Sequence, residues 1–164
     1  MNTASLNEIK KEINTLDPET IAGLCMRLAK YKKENKELLN YLLFEAHNEQ
    51  AYIASVKEEV GEFFTEIPAP NLYLTKKVLR KILRFVNKQI KYSGIAQTEI
   101  ELRIHFCTKV NEARVPLTEG TVLFNLYQQQ VKKISTVLNK LPEDIQADYQ
   151  RELEYLPAIY STRY

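Results

Sequence analysis

Glycine is scarce in this chain, with four among 164 residues. Because glycine supplies the positive backbone φ angles that tight hairpin turns need, a fold with many β-turns is disfavoured. Only two cysteines are present, Cys25 and Cys107, which is too few at this length for a disulfide scaffold. Both lie among apolar residues at helical spacing, so we expect two buried and unreactive thiols.

Long apolar runs are also absent. No stretch is long enough to cross a bilayer as a helix, and the first residues lack the apolar core of a signal peptide. We therefore expect a cytoplasmic protein that does not insert into a membrane. The hydrophobic share of 45% and the charged share of 27% are ordinary for a globular chain. A single domain over residues 1–164 is predicted from the length.

Motifs for catalysis and cofactor binding are missing. The sequence contains no glycine-rich phosphate loop, no GxSxG nucleophile motif and no Glu-x-x-His spacing of a di-metal bundle. Of the two histidines, His47 is expected to be solvated on a polar helix face. Glu101 lies one turn before His105 and is expected to form a surface ion pair with it. The sequence thus predicts no catalytic residue, no metal site and no cofactor.

Helical periodicity, in contrast, runs through most of the chain. Apolar residues recur at spacings of three and four in segments separated by connectors that contain proline or glycine. The predicted fold is all-α, with six to seven helices in antiparallel hairpins packed as a helical bundle around a long central helix. A short right-handed α-α superhelix of the HEAT or armadillo kind is the alternative, but no internal repeat supports it.

The long central helix is predicted over residues 34–67. Its apolar stripe keeps one phase along the whole stretch, which contains no proline and one glycine. Asn48 offers the alternative, since its side chain could cap a second helix and break the rod there. Two prolines, Pro68 and Pro70, end the helix. The short connector that they form predicts an antiparallel hairpin with the following helix.

Residues 98–113 give two conflicting signals. Thr98 and Glu101 match a helix capping box, whereas four apolar residues alternate with polar ones as in a strand: Ile100, Leu102, Ile104 and Phe106. Because no other segment offers a partner strand, the helix is favoured. Two more helices are predicted over 118–140 and 142–155. The C-terminal tail, residues 156–164, is either docked on the helices or free to recruit a partner.

The predicted helix over residues 72–92 has the most distinctive surface. Its polar half holds seven Lys or Arg residues, and no Asp or Glu occurs in it. Lys76, Lys81 and Lys88 flank the apolar stripe and can reach acids across the hairpin. The remaining polar side chains are predicted to point outward as a candidate binding face for an anionic partner: Tyr73, Lys77, Arg80, Arg84 and Lys91.

This basic face has three interpretations: it is simply solvated, it binds an acidic protein, or it binds nucleic-acid phosphates. The sequence carries no motif that identifies a function. The function class that it favours is a non-catalytic protein–protein interaction or scaffold module with an unidentified, acidic partner. Nucleic-acid binding through the basic face is the alternative. An enzyme without a recognisable motif is the third hypothesis.

Overall fold

The computed structural model describes residues 1–68 and 70–156, and within these ranges the protein is built from eight α-helices without a strand. The all-α bundle is therefore confirmed, with one or two helices more than predicted. Of the predicted C-terminal tail, Leu156 is buried and residues 157–164 lie outside the described ranges. The helices are α1 (Leu6–Ile13), α2 (Pro18–Tyr31), α3 (Lys33–Asn40), α4 (Glu49–Thr65), α5 (Leu72–Ser93), α6 (Ala96–Glu112), α7 (Val122–Leu138) and α8 (Glu143–Glu154).

The prediction of one unbroken helix over residues 34–67 is wrong. Helix α3 ends at Asn40, a π-helical turn covers Tyr41–Glu45, and α4 begins after Asn48. The Asn48 side chain accepts a hydrogen bond from the Ala51 backbone N–H at 3.1 Å. An asparagine side chain competes in this way with the helical backbone pattern, even where the apolar stripe continues on both sides. The capping alternative is confirmed.

The chain divides into two compact units, Met1–Phe44 and Glu45–Tyr164. The single domain stays a prediction. In the first unit, Ser5 starts α1 with a capping box to Glu8, and α2 and α3 pack side by side. The Asn35 side-chain amide donates to the Leu28 carbonyl at 2.8 Å and links these two helices. No residue from 1 to 40 is buried, so α1, α2 and α3 enclose no core of their own.

In the second unit, α6 is the central helix, with α4, α5 and α7 packed against it. Its buried residues therefore cover about two thirds of the helix circumference: Thr98, Ile100, Leu102, Arg103, Ile104, Phe106, Cys107 and Val110. This wide buried surface accommodates the strand-like alternation, and the predicted helix is confirmed. The predicted capping box is wrong, because Ile95 occupies the N-cap position and the Thr98 hydroxyl donates instead to Glu49 at 2.6 Å.

Helices α4 and α5 form the predicted antiparallel hairpin. Near one end, the Tyr52 hydroxyl donates to the Gln89 side chain at 2.6 Å. Near the connector, the Lys81 ammonium lies 3.0 Å from the Glu66 carboxylate, as expected for a charge that flanks the apolar stripe. Within the described ranges no helix combines the length and the apolar character that crossing a membrane requires.

Candidate binding face on helix α5

Helix α5 is fixed at both ends by its own sequence. The Asn71 side chain accepts a hydrogen bond from the Leu74 backbone N–H at 3.1 Å, which caps the N-terminus. At the C-terminus, Gly94 adopts φ 68°, and its N–H donates to the Ile90 carbonyl at 2.9 Å. One side of the helix is buried in the second unit: Thr75, Leu79, Ile82, Leu83, Val86 and Ile90. The opposite side is left to solvent.

The five predicted site residues all lie on this exposed side of α5, and we call them the basic row: Tyr73, Lys77, Arg80, Arg84 and Lys91. They follow one another at intervals of four, three, four and seven residues, which are multiples of the helical repeat. The five side chains therefore form one straight row parallel to the helix axis. At 1.5 Å per residue the row is about 27 Å long.

The cations of the basic row have no carboxylate partner among the described residues. The Lys77 ammonium lies over the Tyr73 ring, 4.7 Å from its centroid. Lys81, on the flank of the same helix, differs: it pairs with Glu66 and also lies 4.9 Å from the centroid of the Phe63 ring. The hairpin thus neutralises Lys81 on the flank of α5 and leaves the charge of the basic row unneutralised.

An exposed apolar patch adjoins the N-terminal end of the basic row. Leu72 is 48% exposed, Tyr73 62% and Leu74 40%. Tyrosine and arginine are among the residue types that dominate the energetics of protein interfaces, and the two leucines add apolar contact area. The surface can therefore offer both apolar contact and charge to one ligand.

Arg103 is a buried charged residue of the second unit that was not predicted from the sequence. Its Nε and Nη2 atoms contact Glu99 at 2.9 Å, and its Nη1 donates to Asn87 and Gln130 at 3.0 and 2.8 Å. Because all three guanidinium nitrogens are engaged, Arg103 joins α5, α6 and α7 as a structural element. Its position among alternating apolar residues was the one signal for its burial.

The prediction that Glu101 pairs with His105 is wrong, whereas the prediction that His47 is exposed to solvent is confirmed. Glu101 pairs with Lys57 at 3.0 Å and accepts from Tyr149, so the predicted pair with His105 is wrong. His105 Nε2 lies 3.1 Å from the Lys57 carbonyl oxygen. Burial and the nearby Lys57 charge lower the pKa of His105, which favours the neutral ring. His47 is exposed, as expected.

The two cysteines differ as well. Cys107 is fully buried in α6, and burial raises the pKa of its thiol to about 12. Cys25 is exposed, so the prediction of a buried thiol is wrong there. The reason is that the apolar side of α2 is left uncovered in the first unit. In the part of the chain that the structure describes, no three His, Cys, Asp or Glu side chains are grouped as a metal ion would require.

The comparison with known proteins found no relative of this chain. No protein-family profile, no curated protein and no solved structure matches this chain.

Proposed function

We propose that the protein is a non-catalytic protein–protein interaction module, in which the basic row of α5 binds an acidic surface of a partner protein. The observation that carries this proposal is a straight, exposed row of four cations without a carboxylate partner among the described residues. Such a row attracts an anionic surface and aligns it along the helix. Binding by this row requires no catalytic group.

The apolar patch beside the row favours a protein over a nucleic acid as the partner. Leu72 and Leu74 offer aliphatic area, which protein interfaces use and phosphate backbones do not. Tyr73 is the only aromatic residue of the row, and Lys77 already covers its ring, so it offers little for base stacking. The net charge points the same way: it is +2 for the whole chain, below the strongly basic character that is typical of nucleic-acid-binding domains.

The affinity is expected to be modest and sensitive to salt. An exposed ion pair contributes about 0–1 kcal/mol, so the basic row alone cannot hold a partner tightly. The apolar patch must add contact area for a stable complex. The proposed interaction is therefore a transient one, in which charge sets the orientation and apolar contact adds affinity.

The experiment that tests the proposal is fluorescence anisotropy with two labelled probes that carry about the same number of negative charges, a polyglutamate peptide and a mixed-sequence RNA. We expect the protein to bind polyglutamate at least as well as RNA, and Arg80→Glu with Arg84→Glu to weaken that binding. A clear preference for RNA, lost in the same double variant, would establish nucleic-acid binding instead. Binding of neither probe would mean that the row is only solvated.

A further inference from the structure

Residues 1–44 carry a second candidate surface, formed by helices other than α5. From Leu6 to Phe44, eleven large apolar side chains are between 36% and 85% exposed. Scattered exposed leucines are common in proteins, but exposed apolar side chains that line grooves together indicate an interaction site. The residues that line this surface determine which kind of ligand it can bind.

A groove between α2 and α3 combines apolar and cationic side chains. We call it the lysine groove. It has a volume of about 610 Å³. Met26, Leu39 and Phe44 supply its apolar lining, and Lys30, Lys32 and Lys36 lie among the lining residues. Two neighbouring grooves open on the same unit. Taken together, the linings of the three grooves contain five different Lys or Arg residues and no Asp or Glu.

The charge of the lysine groove is largely unneutralised. Among the described residues, Lys30, Lys32 and Lys36 have no carboxylate partner, whereas Lys33, also in the lining, lies 3.7 Å from Glu37. An occupant must therefore be apolar where it meets Met26 and Phe44, and acidic where it meets the lysines. A flexible methionine in the lining lets such a groove adapt to different apolar side chains.

We infer that the lysine groove binds an amphipathic helix of a partner protein, with an apolar stripe that enters the groove and Asp or Glu residues along both flanks. Helix-in-groove recognition has this chemistry, with apolar anchors at i, i+3, i+4 and i+7. A second copy of this chain fits less well, because its exposed apolar grooves carry the same cations, and like charges across an interface disfavour association. The inference goes beyond the basic row, since it concerns other helices and other cations.

The test uses two designed helical peptides of about 18 residues that share one leucine stripe at i, i+3, i+4 and i+7. One carries glutamate at the remaining positions and the other carries lysine. Fluorescence anisotropy measures the binding of each peptide to the full chain. We expect the acidic peptide to bind about tenfold or more tightly than the basic one, because only the acidic flanks complement the lysines.

Three variants locate the binding. Lys32→Glu with Lys36→Glu is expected to weaken the acidic peptide about tenfold or more, and Met26→Ser to weaken it without changing charge. The matched control is Lys10→Glu with Lys11→Glu, which makes the same charge change on exposed residues of α1 outside the groove. Binding to this control is expected to stay within about twofold, and Arg80→Glu with Arg84→Glu is expected to weaken the acidic peptide less than the groove variants do, because the leucine stripe enters the groove. This last result separates the groove from the basic row.

Four results would overturn the inference. They are no binding of the acidic peptide, equal affinity for both peptides, unchanged binding after Lys32→Glu with Lys36→Glu, and a dimer in sedimentation equilibrium that the groove variants dissociate. The dimer would mean that a second copy covers the groove. Circular dichroism of each variant verifies that the helices are intact, and because the exchanged lysines are exposed, we expect them to be.

Discussion

The Lys77 ammonium lies 4.7 Å from the centroid of the Tyr73 ring, one helical turn away on α5. A cation–π contact at an exposed site contributes about 0.5–1 kcal/mol, enough to hold a flexible lysine in place. The contact therefore positions one charge of the basic row. It also covers one face of the only aromatic ring in that row.

Replacing Tyr73 with leucine tests what the ring does. Tyr73→Leu keeps an apolar side chain beside Leu72 and Leu74 but removes the ring under Lys77. We expect the affinity for polyglutamate to fall by no more than about fivefold, because less than about 1 kcal/mol of contact is lost. Anisotropy titrations of both proteins measure it. If the ring instead stacked on bases, RNA affinity would fall by about 1–3 kcal/mol, and that result would contradict the protein-partner proposal.

The two cysteines are expected to differ sharply in reactivity. The thiolate is the reactive form of cysteine, and with a pKa of about 12 Cys107 is about one part in 10⁴ ionised at pH 8. Cys25 is exposed. Titration of the native protein with a disulfide reagent should therefore modify one thiol per chain, and denaturant should release the second. Rapid modification of native Cys25→Ser protein would show that Cys107 is accessible and its environment misassigned.

His105 should make stability depend on pH in the acidic range. Its pKa in the folded state lies below the ordinary value of 6.5 because of burial and Lys57, so the unfolded chain takes up the proton first. The stability that the neutral ring contributes is present above pH 6.5 and is lost as pH falls towards the lower folded pKa. Urea unfolding between about pH 7 and pH 5 should show a smaller loss for His105→Gln than for wild type.

His47→Gln is the matched control for this titration. His47 is exposed, so we expect its replacement to leave the wild-type pH dependence unchanged. Identical curves for wild type and His105→Gln would mean that His105 does not carry the effect.

Glu49 joins three helices through two short hydrogen bonds. One of its oxygens accepts from Ser93 at 2.5 Å and from Thr98 at 2.6 Å, and Thr98 is fully buried. Glu49→Ala leaves the buried hydroxyl without this acceptor and should cost about 1–3 kcal/mol of unfolding free energy. Thr98→Val should cost less, because it removes the donor and keeps the shape.

The double variant tests the coupling between these two residues. In urea unfolding, adding Thr98→Val to Glu49→Ala should recover part of the lost stability, since the orphaned hydroxyl is then gone. If the double variant lost as much stability as the two single variants added together, the Thr98 hydroxyl would have found another acceptor.

The helices were predictable where a segment has one buried and one exposed side. Helix α5 was predicted over 72–92 and found at Leu72–Ser93. Its buried side, its exposed side and both of its caps can be recognised from its own sequence. Helix α6 gave a misleading alternation, since three neighbouring helices bury most of its circumference and no narrow apolar stripe remains. At Asn48 the apolar phase continued across the break, so periodicity alone could not locate it.

The basic row and the lysine groove differ in how far the sequence alone predicts them. The exposure of the basic row follows from α5 alone, and the sequence predicted it. The lysine groove requires knowledge of which helices pack together. Lys30 and Lys32 lie at the C-terminal end of α2, where cations commonly offset the negative end of the helix dipole, so their positions alone do not indicate a groove. Cys25 was expected to be buried, and the exposure of the apolar side of α2 on which it lies appears only when the packing of α1, α2 and α3 is known.

The measurement that tests the central claim most directly is the affinity for polyglutamate of three proteins at about 50 and 200 mM salt: wild type, Arg80→Glu with Arg84→Glu, and Lys133→Glu with Lys140→Glu. The control changes the same total charge at two exposed lysines that lie outside α5. If the basic row binds an acidic partner, affinity falls with salt, drops about tenfold or more in the α5 variant and changes less than about threefold in the control. Equal losses in both variants would show that binding follows net charge alone and would contradict a specific site on α5.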